Sequence, residues 1–407
     1  MKKILFSAAA FGLVAVSSMA LVPTTAEAIP AFARQTGAAC LSCHFQSFPT
    51  LSAFGRAFKM GALTDVGEQA LIEDEALSIP ATLNATIVFR PQISTVKSTG
   101  APTAKDISYG DQVVLIGGRI GTNAGAFVEL GGGAFGNHQL FTSFDFGAVK
   151  GGINYQGSGF GTDAALQLGN TWGQHGGMMD GRATSANQFI EGNGKAVGGF
   201  AGAGQYASLV GWVGNDMGAI QAGLVAPSDG VAWGVAGNST FTAAKIVRAN
   251  TFFDVAGLTL GVGGIWIGGN VGSNGQYIAA QQLEMKRWGL EASLEGDLGD
   301  TQVGLYVDYA NAGTSSVSKT NLFNTDTVNN LKGWGVRGTV KPLHNVVLLA
   351  GYGSMKAAAK DTTFHVGAEY EFYQNFVIAL TYTDKKTTLA NVSTHSKKTL
   401  LDIEALL

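Results

Sequence analysis

From about residue 81 to the end of the chain, apolar residues recur at every second position, and only a β-strand places such a pattern on one face. Leu83, Ala85, Ile87 and Phe89 alternate with Asn84, Thr86, Val88 and Arg90, and Val303, Leu305, Val307 and Tyr309 alternate with Gly304, Tyr306 and Asp308. Similar runs cover Val113–Arg119, Ala126–Leu130, Ala164–Leu168, Leu258–Ile267, Trp334–Val340, Val346–Tyr352, Phe364–Tyr370 and Phe376–Tyr382. The run Leu401–Leu407 reads as a closing strand, although it ends in leucine where outer-membrane barrels commonly end in an aromatic residue.

Composition narrows the sheet to one kind. The 407 residues are 46% hydrophobic and 14% charged, with 58 glycines and only 8 prolines. That composition excludes disorder and collagen. No apolar run after the N-terminus approaches the roughly 18 residues of a spanning helix, which excludes a helical membrane protein. A transmembrane outer-membrane β-barrel spreads its hydrophobicity over many short strands, and strands of about ten residues fill this length with about 16 of them. A soluble sandwich or propeller is the alternative, and no propeller-length repeat supports it. Glycine suits tight turns such as Gly131-Gly132-Gly133. The net charge of −3 carries no basic footprint, so nucleic acid is excluded as a partner.

The start of the chain reads as an export leader over residues 1–28. Met1-Lys2-Lys3 is a charged n-region, an apolar stretch follows, and Ala26-Glu27-Ala28 is a cleavage site. The mature chain then begins at Ile29, outside the cytoplasm. Residues 29–80 read as a small separate segment with linker, and residues 81–407 as the porin-like barrel.

The only two cysteines stand in Cys40-Leu41-Ser42-Cys43-His44, the spacing of a c-type haem attachment site. Each thiol adds to one porphyrin vinyl group, and the adjacent His44 becomes the proximal ligand of the haem iron. A zinc site needs more thiolates or histidines, and a thioredoxin-like dithiol needs a βαβ setting that is absent here. The cofactor expected is one covalent haem c.

Downstream, Leu51, Phe54 and Phe58 recur at helical spacing, with Pro49 at the start and Gly61 at the stop. Such a helix would lay rings on the porphyrin, while Arg56 and Lys59 meet the haem propionates; packing on the barrel wall alone is the alternative. Met60 is the candidate distal ligand by position, with a core role or an open coordination position as alternatives. His138, His175, His344, His365 and His395 read as loop or lumen residues. Residues 67–77 read as a short helix and linker, and 171–199 and 312–331 as long outer loops. Within the first loop, His175, Met178 and Met179 form a weak soft-metal set.

The residues Ile29-Pro30-Ala31-Phe32-Ala33-Arg34-Gln35-Thr36-Gly37, Cys40 to His44, Phe48-Pro49, Leu51, Phe54-Gly55-Arg56 and Phe58-Lys59 resemble the N-terminal segment of the fused cytochrome-porin family, the outer-membrane iron oxidases of iron-oxidising bacteria. The likeness spans Ile29 to Leu63; beyond it only the architecture is similar. The resemblance implies that extracellular Fe(II) is the electron donor and a periplasmic c-type cytochrome the acceptor, with Cys40, Cys43 and His44 holding the haem. No iron-binding residue carries over. So short a haem segment has little core of its own, which predicts that it sits as a plug in the barrel lumen. A diffusion porin with a haem-bearing structural or gating plug is the alternative function, and a haem enzyme or sensor with an open sixth position is a third.

Overall fold

The computed structural model describes residues 30–48, 50–75, 77–131, 134–159, 166–170, 179, 181–194, 206–227, 242–273 and 282–407. The leader expected at 1–28 therefore lies outside the described residues.

A small hairpin, β1 (Leu71–Asp74) and β2 (Leu77–Pro80), precedes the barrel strands. These are β3 (Ala85–Ser98), β4 (Ala104–Gly121), β5 (Ala124–Gly131), β6 (Ala134–Thr142), β7 (Phe144–Asp145), β8 (Lys150–Gly159), β9 (Tyr206–Asn215) and β10 (Gly218–Pro227). They continue as β11 (Ala244–Val255), β12 (Leu258–Ser273), β13 (Gln282–Leu298), β14 (Thr301–Ala312), β15 (Lys319–Asn321) and β16 (Leu331–Leu343). The last are β17 (Val346–Lys356), β18 (Lys360–Tyr373), β19 (Phe376–Leu389) and β20 (Val392–Leu406).

All segments from β3 onward join one closed barrel, sealed where β20 pairs with β3 in the register Leu401↔Ile93. Short β7 continues the line of β6 along β8, and short β15 runs parallel to β13 within a loop. The other sixteen strands are long and pair antiparallel around the ring. Closure satisfies every strand edge, which a sheet in lipid requires.

The period-two pattern maps onto two faces of opposite character. Ile87, Phe89, Ile93, Leu290, Leu305 and Trp334 are exposed on the outside, whereas Thr86, Arg90, Glu291, Arg337, Glu369 and Asp402 are buried toward the lumen. An apolar exterior around a charged interior inverts a soluble protein, and the molecule is a transmembrane β-barrel. At the end where β3 begins and β20 ends, the described strand connections have four residues or fewer. The strand ends that flank the long connections, 160–205, 228–243, 274–281 and 313–330, are at the opposite end.

Residues 30–66 occupy the lumen at the short-turn end. Their contacts run around the ring: Arg34 donates to the Ala85 carbonyl at the start of β3, Phe32 packs on Phe127 of β5, and Arg56 lies over the Phe252 ring of β11. On the far side Arg56 also approaches Glu295 of β13, and Lys341 of β16 donates to the Gln46 carbonyl. Only a segment enclosed by the barrel meets all these strands, so the expected lumen plug is present.

Three expectations change. Residues 67–77 do not form a helix; part of this stretch belongs to the β1–β2 hairpin, where Arg119 of β4 donates to Ser78 and the register pairs Ile72 with Ile79. Of the expected strand Ala164–Leu168, residues 164–165 lie outside the described residues, and Leu166 and Leu168 are fully buried in irregular chain against Phe58 and Met60. Their apolar alternation serves a core contact, which period alone does not distinguish from a strand. The stretch 171–199 is not wholly an outer loop. Its described part holds a 3₁₀ turn, Gly181–Thr184, and a helix, Ala186–Gly194, folded into the lumen. Asp308 of β14 accepts from the backbone of Ala186 at 3.0 Å and Asn187 at 2.8 Å, and Glu191 pairs with Arg287 of β13 at 2.8 Å.

Candidate functional site

The plug is built from three helical pieces. The first helix, Pro30–Thr36, is held to the wall by the Ala31 amide, which donates to Thr86 Oγ1 at 2.9 Å. It ends at Gly37, whose φ of 68° is the left-handed conformation that glycine adopts at helix ends. A single turn, Cys40–Cys43, follows, and its closing bond runs from the His44 amide to the Cys40 carbonyl at 2.9 Å. Residues three apart share a helix face, so this turn brings both thiols to one side.

The third helix, Ala53–Met60, starts one turn later than Pro49 suggests. Ser52 is its cap, accepting from the Gly55 amide at 3.1 Å, and Gly61 closes it as expected. Gly55 is required by a close approach, since a Cβ there would overlap the Cys43 carbonyl. The helix therefore lies directly against the cysteine turn.

These pieces and the barrel wall enclose a cavity with about 1190 Å³ of non-atom space, part of it open to solvent. Cys40, Cys43 and His44 all line it. Its apolar sides come from Phe32, Phe48, Leu51, Phe58 and Leu63 of the plug and from Leu115, Phe127 and Phe141 of β4 to β6. Burial, and secondarily the nearby Asp65 carboxylate, push the Cys43 thiol up to about 11. His44 Nδ1 lies 3.2 Å from the Thr50 carbonyl oxygen. A carbonyl can only accept, so Nδ1 carries the proton and the lone pair of the neutral ring is on Nε2. The Phe48 ring meets the imidazole edge-on at 5.0 Å.

The chemistry of this donor set fits haem c. Both thiols, the imidazole and Lys59 line one cavity with apolar walls, as a covalently held macrocycle with an axial nitrogen ligand and anionic propionates requires. Gly117 of β4 adds room, because a Cβ there would press on the Phe32 ring at 3.0 Å.

Other sequence-predicted residues fall elsewhere. Met60 is 4% exposed and packs in a cluster with Phe141, Leu166, Leu168 and Trp212; it is not among the cavity-lining residues. Arg56 turns away from the cavity to the wall. Its guanidinium donates to the Leu51 carbonyl at 3.0 Å, lies 4.1 Å from the Phe252 ring centroid and 3.8 Å from Glu295. Phe54 is exposed rather than cavity-lining. His138, His365 and His395 are on strands and His344 is in a turn; His365 is held between Thr383 Oγ1 at 2.8 Å and the Met179 carbonyl at 2.7 Å. His175 and Met178 lie outside the described residues, and no group of three or more metal-capable His, Cys, Asp or Glu residues occurs among the described ones.

Two features of the site were not singled out from the sequence. Gln35, fully buried, donates to the Leu63 and Asp65 carbonyls at 2.7 Å, and its carbonyl oxygen accepts from Asn84 at 3.0 Å and the Arg119 amide at 3.2 Å. It pins the first helix, the turn after the third, the residue that leads into β3 and strand β4 at one point. The second is the barrel's share of the cavity. The run Val113-Val114-Leu115-Ile116 is apolar on consecutive positions, the pattern of a strand covered on both faces, and this signal was available.

No protein-family model matches the chain, and no curated protein matches it. Solved structures do. An anion-selective porin from Comamonas acidovorans is similar at a TM-score of 0.50 and 10% identity, over 80% of this chain and 99% of that one. The outer membrane channel DcaP of Acinetobacter baumannii gives 0.49 and 12%, over 80% and 97%. OmpT of Vibrio cholerae gives 0.46 and 16%, over 83% and 100%. The Comamonas porin shares the barrel fold, and at this identity the likeness reaches no further.

Proposed function

We propose that this chain is an outer-membrane electron-transfer protein: a porin-like barrel whose plug carries one haem c attached through Cys40 and Cys43, with His44 as proximal ligand. The observation that carries the reading is the apolar cavity lined at once by both cysteines and His44. When bound, haem would supply reversible one-electron redox chemistry. The chain's own residues do the rest. His44, oriented by the Thr50 carbonyl, presents Nε2, the phenylalanines and Leu115 exclude water, and Lys59 balances propionate charge.

Short turns face the periplasm in outer-membrane barrels, so a plug at that end is within reach of a periplasmic c-type cytochrome as acceptor. Fe(II) as donor rests on the resemblance of Ile29–Leu63. The test is rapid mixing of detergent-solubilised, oxidised holoprotein with anaerobic Fe(II), following the haem absorbance bands, with dithionite as control. Reduction by both is expected. Reduction by dithionite alone overturns Fe(II) as the donor.

A second reading, a diffusion porin with a haem-bearing plug, is favoured by the charge-lined lumen and the fold it shares with a porin. Steady single-channel conductance of the intact protein would select it, and a blocked lumen the electron conduit.

A further inference from the structure

The long-loop end of the barrel carries an outward-facing charge pattern that the plug chemistry does not use. In the register of β20 and β3, Lys397 lies directly opposite Lys97. In the register of β16, β17 and β18, Lys332 lies opposite Lys356, and Lys356 opposite Lys360. All five side chains are exposed. Their direction follows from the alternation. Lys332 is two residues from exposed Trp334, Lys356 four from Tyr352, Lys360 four from Phe364, and Lys97 and Lys397 four from Ile93 and Leu401, all on the exterior parity. The lysines therefore stand outside the barrel, not in the lumen, and beyond an aromatic row in which Trp334 and Tyr352 meet at 5.8 Å. Aromatic girdles mark the membrane–water interface, which puts the lysines at headgroup height.

Side chains directly opposite on antiparallel strands have Cβ atoms about 5 Å apart, and like charges there are destabilising. Here that arrangement recurs on two separate parts of the rim. Asp384 meets Lys397 at 3.5 Å and His395 at 3.0 Å. Among the described residues no carboxylate lies within 4.0 Å of Lys97, Lys332, Lys356 or Lys360. An anion shared between facing lysines would turn the repulsion into attraction.

We propose that these lysine rows bind the phosphate groups of outer-leaflet lipid headgroups, fastening the barrel rim to an anionic lipid surface. Lipid is favoured over a soluble anion because the rows continue the lipid-facing exterior and point away from the lumen. The proposal rests on the outer-membrane orientation given above.

The test reconstitutes the full-length protein in nanodiscs of phosphatidylcholine doped with bisphosphorylated lipid A or with its dephosphorylated form, and counts retained glycolipid by native mass spectrometry after detergent extraction. Two variants are compared, one with K97Q and K397Q, the other with K332Q, K356Q and K360Q; each is first checked for heat-modifiable gel migration, which reports a folded barrel. The expected result is retention of the phosphorylated lipid only, reduced more than about tenfold in the three-lysine variant and less in the other. Equal retention of both glycolipids, or unchanged retention in both variants, overturns the proposal. Displacement of the lipid by millimolar inorganic phosphate would assign the rows to a free anion and overturn the lipid reading. Fractionation of cells expressing the wild-type chain reports the orientation separately. Absence from the outer membrane would defeat that reading, while the nanodisc result would still decide what the lysines bind.

Discussion

The two walls of the lumen at plug level differ in kind. Along β3 to β6 and the neighbouring β9 to β11 an inward apolar set, Val88, Val113, Leu115, Phe127, Phe141 and Trp212, stands among polar side chains such as Thr86, Gln139 and Arg248. Across the lumen, from β13 to β20, Glu295, Arg337, Lys341, Glu371, Asp402 and Glu404 form a charged set beside a smaller apolar patch of Val347, Leu349, Val377 and Ala379. The plug treats the two walls differently. Against the first it packs Phe32, Phe58 and Cys40 and leaves the cavity; toward the second it reaches with Arg56 and the Gln46 carbonyl. Both walls hold the plug, the first through Thr86, Asn84 and Arg119, and among the described residues the first also borders the cavity. An apolar macrocycle needs a dry wall, whereas docking an otherwise core-poor segment is well served by directional ion pairs and hydrogen bonds.

Removing the thiols of the proposed haem attachment should have the largest effect on the apolar side. In the variant with Cys40→Ser and Cys43→Ser, no haem should survive on a denaturing gel, while the barrel retains heat-modifiable migration. Loss of the folded barrel as well would mean that the apolar wall needs its occupant. Deleting residues 30–66 breaks the comparison altogether, and single-channel conductance should rise at least about twofold once both walls face water.

Smaller effects sharpen the comparison from the charged side. Arg56→Ala removes the cation nearest Glu295, which keeps its bond from Asn170 and the field of Arg337, so the cost is about 1–3 kcal/mol. The loss should appear as faster hydrogen exchange throughout the Ala53–Met60 helix. Gly55→Ala forces that helix off the Cys43 carbonyl, an overpacking of about 1–3 kcal/mol, and should perturb the haem bands, which Arg56→Ala should leave nearly unchanged. Ser52→Ala, which removes the helix cap, should cost about 1 kcal/mol and confine faster exchange to the first turn.

Much of this was legible in the chain itself. The barrel and the runs from Leu258 onward follow from alternation, because side-chain direction in a strand is settled by the backbone of that strand alone, and the strand number follows from the length to be filled. The attachment turn is equally local, since three bonds along one helical turn suffice to align Cys40 with Cys43. Local pattern failed wherever a partner was remote. Leu166 and Leu168 alternate like a strand yet pack on the plug, and the Leu71–Asp74 segment pairs with Leu77–Pro80 where a short helix and linker were expected.

Sequence by itself thus determined that this chain closes a barrel and brings two thiols and an imidazole together, because both depend on spacings within a few residues. Only the tertiary structure decided which wall the Cys40–His44 turn faces, that Met60 packs in the core and that Arg56 serves the plug rather than the cavity. Those outcomes depend on contacts such as Arg56 with Glu295 and Lys341 with Gln46, between residues hundreds of positions apart, which exist only once the ring has closed around its own N-terminus.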